Sequence, residues 1–350
     1  MEPGDPLGLH RVLPEEDASA PLPLPQRATR LDADIDKCFE SEILVDVETL
    51  NIDAASFKQM EEASDGTATG VAELVRQTVA ARGKQHNPVT GSGGMLLGKV
   101  KRVGDLVSER GVKVGDRIAT LASLSLTPLA LKRIIAVRLE SCQVDVEATA
   151  VIFATAPFAK IPTNLPVRVA LAALDVAGAA PQVARLAKSG DSVLVLGAGG
   201  KSGLLCALEA RRRVGPRGKV IGLETYEPFA KDLIELGLCD AVIQEDARDA
   251  VAVRDRVAEL TAGEGVDLSL SCVNVPGCEM AAIVATKDRG KAYFFAMSTS
   301  FTACALGAEG IGADIDIYIG NGYAHGHAEH TLDILREDDR LRSIFGRRYG

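Results

Sequence analysis

A glycine-rich turn between an apolar strand and a helix restricts the fold of this chain more than any other segment. The stretch DSVLVLGAGGKSGLLC predicts a strand over 192–197 and a helix over about 202–213. Glycine is needed here because a Cβ atom would keep a diphosphate away from the backbone, and a helix N-terminus offers amide donors. A tight turn without a ligand is the alternative. A P-loop is disfavoured because that motif has four residues between its first glycine and GK[ST], whereas only two separate Gly197 from GKS. The residues expected to contact the nucleotide are Gly197, Ala198, Gly200, Lys201, Ser202 and Gly203.

The second half of the chain alternates apolar strands with helices. After Pro166 comes a helical stretch with a predicted break at about 178–181, and then the glycine-rich turn. Such alternation is typical of a doubly wound parallel sheet with helices on both faces, the Rossmann architecture, here over 166–320. Residues 321–350 predict a C-terminal helix whose domain the sequence does not decide. Strands are predicted at 192–197, 219–224, 240–244, 267–273 and 291–297, and further helices at 228–236, 248–262 and 277–286.

The first half follows a different pattern. From Glu42, EILVDVETLNI alternates apolar and polar residues as a strand does, whereas 68–83 has helical spacing. Glycines across 90–104 mark turns between short strands. These features predict a β-rich catalytic or substrate domain over 1–165, and the Pro-rich first thirty residues predict an extended arm over its surface.

An acidic residue suggests which dinucleotide is bound. Glu224 stands at the end of the strand after the glycine-rich turn, where a carboxylate accepts hydrogen bonds from the adenosine ribose diol and repels a 2′-phosphate. The sequence therefore favours NAD as the cofactor, although Lys231 and the arginines at 211–213 leave NADP open. Two loops after later strands are expected to face the nicotinamide, with Asn274 in CVNVPG and Ser298 in MSTSF.

Composition excludes several other classes of protein. The 350 residues carry 39 basic and 48 acidic side chains, and the net charge of −9 argues against a nucleic-acid partner. No apolar run reaches the ~18 residues of a membrane span, because Asp175 interrupts the longest. The seven cysteines form no CxxC pair, so we expect buried thiols in a reducing compartment. The N-terminus has no signal-peptide pattern, so we expect a cytoplasmic enzyme with no membrane partner.

Several motifs resemble the medium-chain dehydrogenase/reductase superfamily. EILVDVETLNIDAASF is similar to its strand and loop EVLVxVxAxGICxxD, and GKVKRVG and VKVGDRIA are similar to its glycine turns. A narrower resemblance, to the L-erythro-3,5-diaminohexanoate dehydrogenase family, is carried by NIDAASF, TGSGGMLLGKV, GAGGKSGLLC, CVNVPGCEM and IGNGY. This resemblance implies NAD-dependent oxidative deamination of a small diamino acid to an amino ketone and ammonia, as in lysine fermentation. The superfamily also suggests a homodimer, by analogy alone.

The chain departs from the zinc enzymes of that superfamily at their metal site. Asp53 stands in place of the zinc-binding Cys, Gly94 and Met95 in place of the His–Glu pair, and Asp175 in place of a further ligand. Too few ligands remain for a catalytic zinc, so we expect no metal. We predict instead that Asp53 and Asp175 are catalytic, holding the substrate ammonium groups and accepting a proton. The alternatives are that Asp53 caps a turn and that Asp175 caps or kinks a helix.

Other interpretations remain open at this point. His325, His327 and His330 are more typical of surface residues than of a metal cluster. Lys58, Arg133 and Lys160 are candidates for binding the substrate carboxylate, but nothing in their spacing selects one. The alternative functions are a zinc-free quinone or enoyl reductase of the same superfamily and a noncatalytic NAD-binding regulator.

Overall fold

The computed structural model describes residues 2–14, 21–88, 91–320 and 322–350. The chain forms two compact units, Met1–Thr163 and Asn164–Gly350. The sequence predicts a division after residue 165 and does not decide the domain of 321–350. In the structure the division falls two residues earlier, and the C-terminal helices belong to the second unit.

The first unit is built on a six-stranded antiparallel sheet with strand order β4-β5-β1-β2-β3-β6. Strand β1 lies near the centre, and its apolar residues, from Ile43 to Leu50, are buried against both neighbours. Two helices between the first two strands add Phe57, Val71 and Val75 to the same core. The elements are β1 Glu42–Asn51, α1 Ala54–Ala63, α2 Ala68–Arg82, β2 Met95–Val103, β3 Arg117–Thr120, β4 Leu129–Arg138, β5 Gln143–Phe153 and β6 Phe158–Lys160.

The N-terminal arm is anchored in this unit more deeply than the sequence suggested. Arg11 is fully buried, and its guanidinium donates to both carboxylate oxygens of Glu42 at 2.7 and 2.8 Å. It also donates to the carbonyls of Asp34 and Lys37. A buried guanidinium requires such a full set of acceptors. The prediction of an arm that only covers a surface is therefore wrong at Arg11.

The second unit contains a six-stranded parallel sheet with strand order β12-β11-β10-β7-β8-β9. Its central strands β7, β8 and β10 are buried on both faces, as expected where helices cover each side. The elements are α3 Val167–Leu174, α4 Ala179–Leu186, β7 Ser192–Leu196, α5 Lys201–Val214, β8 Lys219–Leu223, α6 Glu227–Leu236, β9 Ala241–Ile243, α7 Ala250–Leu260, β10 Val266–Ser271, α8 Glu279–Ala285, β11 Thr286–Phe294, α9 Phe301–Gly310, β12 Asp316–Ile319, α10 His327–Glu337 and α11 Asp339–Tyr349.

Three details of this unit differ from the sequence prediction. The break between the first two helices spans residues 175–178, because Pro181 lies in the first turn of α4, where its missing N–H is not needed. The C-terminal segment forms two helices, since the Asp338 carboxylate caps a new one by accepting from the Leu341 amide. Helix α9 and edge strand β12 were not predicted.

Among the described residues, no single helix is long and apolar enough to cross a membrane. Helices α3 and α4 would meet that length and composition together, but they are bent by 52° at their break.

Candidate active site

The glycine-rich turn joins β7 to α5 as predicted, and its glycines have distinct roles. Gly197 has a φ of +72°, a conformation that glycine adopts without strain. A Cβ at Gly203 would lie 2.0 Å from the Gly197 carbonyl oxygen, so this position requires glycine for the helix to pack on the turn. A Cβ at Gly200 would meet only that same oxygen, at 3.5 Å. The space beside Gly200 is therefore open at the start of α5, although the Gly200 amide itself donates to the Gly197 carbonyl at 3.2 Å. Ala198 is fully buried, and its amide donates to the carbonyl of Leu223.

Glu224 lies directly beside this turn. It is 8% exposed, and its Oε2 accepts from the Gly199 amide at 3.0 Å, while its Oε1 accepts from the Tyr226 amide at 3.0 Å. A carboxylate has about four lone-pair positions, so both oxygens retain capacity to accept from a ribose diol. Gly199 was not among the predicted residues. A Cβ there would lie 2.8 Å from Glu224 Oε2, so the close packing of this carboxylate on the turn favours glycine at this position.

Lys201 and Asp175 contact each other, which the sequence did not predict. Lys201 is the first residue of α5, and its Nζ lies 2.6 Å from Asp175 Oδ2. Asp175 is the residue at which α3 ends. Both side chains are about one-third exposed, at 33% and 31%. Asp175 thus carries a lysine partner at the N-terminus of α5, in the same unit as the glycine-rich turn.

Ser202 has a partner inside the unit. Its hydroxyl bonds the Cys272 thiol, which lies 3.8 Å from the thiol of Cys206. The hydrogen bond between the two thiols and the weaker one with Ser202 together outweigh burial and hold the pKa of Cys272 below its ordinary value.

The loops after β10 and β11 meet near the glycine-rich turn. A Cβ at Gly197 would lie 3.1 Å from Val273, and the Ser298 hydroxyl donates to the Val273 carbonyl at 3.1 Å. Asn274 is exposed on the first of these loops. These positions follow from the parallel sheet, in which the loops after successive strands share one edge.

Asp53 belongs to the first unit and caps a helix. Its Oδ1 accepts from the Ser56 amide at 2.9 Å, at the start of α1. Its Oδ2 is buried and has no hydrogen-bond partner within the ranges that the structure describes. Buried carboxylate oxygens are normally paired, so the second oxygen of Asp53 is suited to a ligand that carries a proton donor.

Gly94, where the zinc enzymes carry a histidine, packs against the backbone beside Asp53. Its φ is +80°, and a Cβ there would lie 2.1 Å from the Asn51 carbonyl oxygen and 2.8 Å from the Asp53 amide. Met95 is buried at the start of β2, opposite Asn51. The backbone around Gly94 therefore leaves no room for a side chain of any kind.

This packing predicts a stability difference between two glycines of the first unit. We expect Gly94→Ala to lower the free energy of unfolding by more than about 2 kcal/mol, because strain at positive φ adds to a backbone clash. Gly66 has a similar φ of +69° with nothing within 4 Å of a Cβ, so Gly66→Ala isolates the strain alone. Urea unfolding of both variants measures the difference, and equal losses would contradict the packing at Gly94.

The three C-terminal histidines differ in their surroundings. His325 is exposed, but His327 is buried at the start of α10, so the prediction that it lies on the surface is wrong. Burial lowers the pKa of His327, although a backbone hydrogen bond opposes this effect. His330 Nε2 lies 3.3 Å from the Glu209 carboxylate. No group of three metal-binding side chains occurs among the described residues.

The three basic residues considered for binding the substrate carboxylate each lie close to an acidic residue of their own unit. Lys58 lies 3.9 Å from Glu62, Arg133 lies 2.7 Å from Glu147, and Lys160 lies 2.7 Å from Asp116. The structure thus selects none of them.

Comparison with known proteins decides the family. A family model described as the L-erythro-3,5-diaminohexanoate dehydrogenase N-terminal domain matches residues 10–162. A protein of that name from Acetoanaerobium sticklandii is 47% identical over 343 residues, covering 98% of each chain. The chain belongs to the L-erythro-3,5-diaminohexanoate dehydrogenase family. A second member of this family, from Fusobacterium nucleatum subsp. nucleatum, is 46% identical over 350 residues, which is 100% of both chains.

Membership in the diaminohexanoate dehydrogenase family confirms the resemblance drawn from the sequence and makes this chain an oxidoreductase. Among solved structures, a mycobacterial protein in complex with NADPH resembles it with a TM-score of 0.57 at 18% identity, covering 88% of this chain and 89% of that one. At that identity the likeness is one of fold, and it confirms the predicted fold class.

Proposed function

We propose that the protein catalyses NAD-dependent oxidative deamination of L-erythro-3,5-diaminohexanoate to 5-amino-3-oxohexanoate and ammonia, a step of lysine fermentation. The observation that carries this proposal is the 46–47% identity, over nearly the whole chain, to two proteins named for that dehydrogenase. In the reaction, substrate, NAD⁺ and water yield the amino ketone, ammonium, NADH and a proton.

The residues of the second unit fit a dinucleotide. The open space beside Gly200 and the N-terminus of α5 would hold the diphosphate, and Glu224 would accept from the adenosine ribose. Lys201, Asn274 and Ser298 remain proposed contacts of the cofactor. Glu224 would also repel the 2′-phosphate of NADP, which supports NAD. Bound NAD would supply an acceptor for the hydride from C3 of the substrate.

The proposed role of Asp53 is to receive a proton. Hydride leaves C3 only after the attached ammonium loses a proton, because the nitrogen lone pair must stabilise the developing iminium. The unpartnered Oδ2 of Asp53 suits it to accept that hydrogen bond and then that proton. After that proton passes to solvent, the regained carboxylate orients the water that adds to the iminium and takes one of its protons. It returns this proton to the nitrogen, and ammonia then leaves as the carbinol hydroxyl gives up its proton to form the ketone.

The proposed role of Asp175 is to balance positive charge. Its carboxylate binds Lys201. A second substrate ammonium would bind the same carboxylate, and Lys201, the first residue of α5, would be a contact of the diphosphate. Asp175 is therefore proposed as the second carboxylate of the reaction.

Reduced nicotinamide formation tests the function. We expect purified protein with NAD and 3,5-diaminohexanoate to produce NADH, and NADP to be the poorer cofactor. Reduction of quinones or enoyl thioesters without diamine oxidation would favour the zinc-free reductase alternative. Nucleotide binding without turnover of any amine or carbonyl would favour the regulator.

We also propose a homodimer. Strand β12 lies at the edge of the parallel sheet and exposes Tyr318 and Ile319, at 39% and 50%. An exposed edge strand with apolar side chains is suited to pair with another strand. Sedimentation equilibrium is expected to give twice the mass of the chain, and a monomer at working concentrations would contradict this proposal.

The cytoplasm is the proposed location. All seven cysteines, each within the described ranges, are free, and free thiols persist in a reducing compartment. Cell fractionation is expected to recover the activity with cytosolic enzymes, and its recovery outside the cytosol would contradict this.

A further inference from the structure

The C-terminal helix ends against the glycine-rich turn. Near the end of α11, the Arg348 guanidinium donates to the Gly199 carbonyl, with Nη1 and the oxygen 2.6 Å apart. The same guanidinium lies 3.6 Å from the centre of the Phe229 ring and pairs through Nη2 with Asp232. The Arg348 side chain is only 9% exposed. This largely buried guanidinium is thus fixed by a ring, a carboxylate and a carbonyl of the turn.

Arg348 is held in place by its partners on α6. Burial would raise the pKa of Asp232, but hydrogen bonds from Arg347 and Arg348 outweigh that effect and hold this pKa below its ordinary value. Arg and carboxylate form strong charge-assisted hydrogen bonds, and the planar guanidinium stacks on Phe229. Asp232 already satisfies the charge of Arg348, so Arg348 is poorly placed to be the partner of a nucleotide phosphate.

Gly199 connects Arg348 to the proposed ribose site. Its amide donates to Glu224 Oε2, while its carbonyl accepts from Arg348. A Cβ at Gly199 would lie 2.6 Å from the Phe229 Cβ, so the ring, the turn and the carboxylate are in close contact. The two bonds fix the plane of the peptide on each side of Gly199, and with it the amide of Gly200 at the start of α5.

We propose that Arg348 is a positioning residue for the dinucleotide. Through the Gly199 carbonyl it fixes the turn and the Glu224 carboxylate in the arrangement that binds the adenosine ribose and the diphosphate, without itself touching the reacting atoms. This inference rests on the proposed cofactor, and it adds the end of the chain to the nucleotide site.

The neighbouring Arg347 provides a matched control. It lies on the same helix and bonds the same Asp232, but its side chain is 61% exposed and it has no bond to Gly199 among the described contacts. We expect Arg348→Ala to raise the Kd for NADH by about tenfold, the effect of losing a hydrogen bond from a charged group. Arg347→Ala should change that Kd less than about twofold.

Fluorescence titration with NADH and with NADPH, on the full-length variants, measures the effect. Arg348→Met keeps the apolar stem against Phe229 and should fold. It is expected to raise the Kd for NADH as Arg348→Ala does. The KM for NAD should rise while kcat changes little. Equal Kd values for the Arg348 and Arg347 variants, or a loss confined to NADPH, would overturn the positioning role. Failure of the unmodified protein to bind either nucleotide would instead refute the proposed function and this inference with it.

Discussion

Replacement of Asp53 by Asn is expected to lower kcat by about 10²–10⁴-fold, the usual contribution of a positioned general base. The substitution is nearly isosteric, and Asn caps helices as well as Asp does, so it can still accept from the Ser56 amide. What Asn cannot do is take a proton from the substrate ammonium. The folded structure should persist while deamination is nearly abolished, which steady-state rates and a thermal melt together measure.

The same substitution at another helix cap controls for the loss of charge. Asp249 caps α7 by accepting from the Ala252 amide, as Asp53 does for α1. We expect Asp249→Asn to retain nearly full kcat. If Asp53→Asn also retained nearly full kcat, Asp53 would have only the structural role of a cap, which is the alternative that the sequence left open.

Replacement of Glu224 by Gln is the second change with a large expected effect. The two Glu224 oxygens each accept from a backbone amide, from Gly199 and from Tyr226. A side-chain amide has one oxygen only, so its NH₂ group must face one of those donors in a buried site. We expect the Kd for NADH to rise by roughly 10- to 100-fold, from the unpaired donor and the weaker ribose contact. Preference for NADH over NADPH should fall as well.

Glu227 offers the comparison for this variant. It begins the helix after Glu224, is 69% exposed and pairs with Lys231 on the surface. Glu227→Gln should leave both nucleotide affinities within about twofold, because surface ion pairs contribute little. An unchanged NADH affinity in Glu224→Gln would exclude Glu224 from the ribose site.

The periodic parts of the fold were predictable from the sequence, because one local pattern determines each. The turn from β7 into α5 needs glycine for positive φ at Gly197 and for packing at Gly203, and both needs appear directly in the residue type. Strand β12 escaped prediction because an exposed edge strand lacks the continuous apolar run of a buried one.

Long-range contacts could not be read in this way. Arg348 contacts Gly199 across 149 residues, and Arg11 pairs with Glu42 across 31, yet both resemble ordinary charged surface residues in the sequence. The sequence predicted that Asp175 holds a substrate ammonium or caps a helix, and its pairing with Lys201 depends on the packing of α3 beside α5. Among these residues only Gly199 could have been predicted to belong to the site, since it lies inside the glycine motif.

Turnover of substrate deuterated at C3 tests the proposed deamination and its independence of metal together. Protein treated with a chelator is mixed with NAD and the labelled diaminohexanoate, and the nucleotide and ammonia are analysed together. We expect deuterated NADH and ammonia in equal amounts, at the rate seen without chelator. Unlabelled NADH, reduction without ammonia release, or turnover that stops with chelator and returns with zinc would contradict a deamination driven by protein carboxylates.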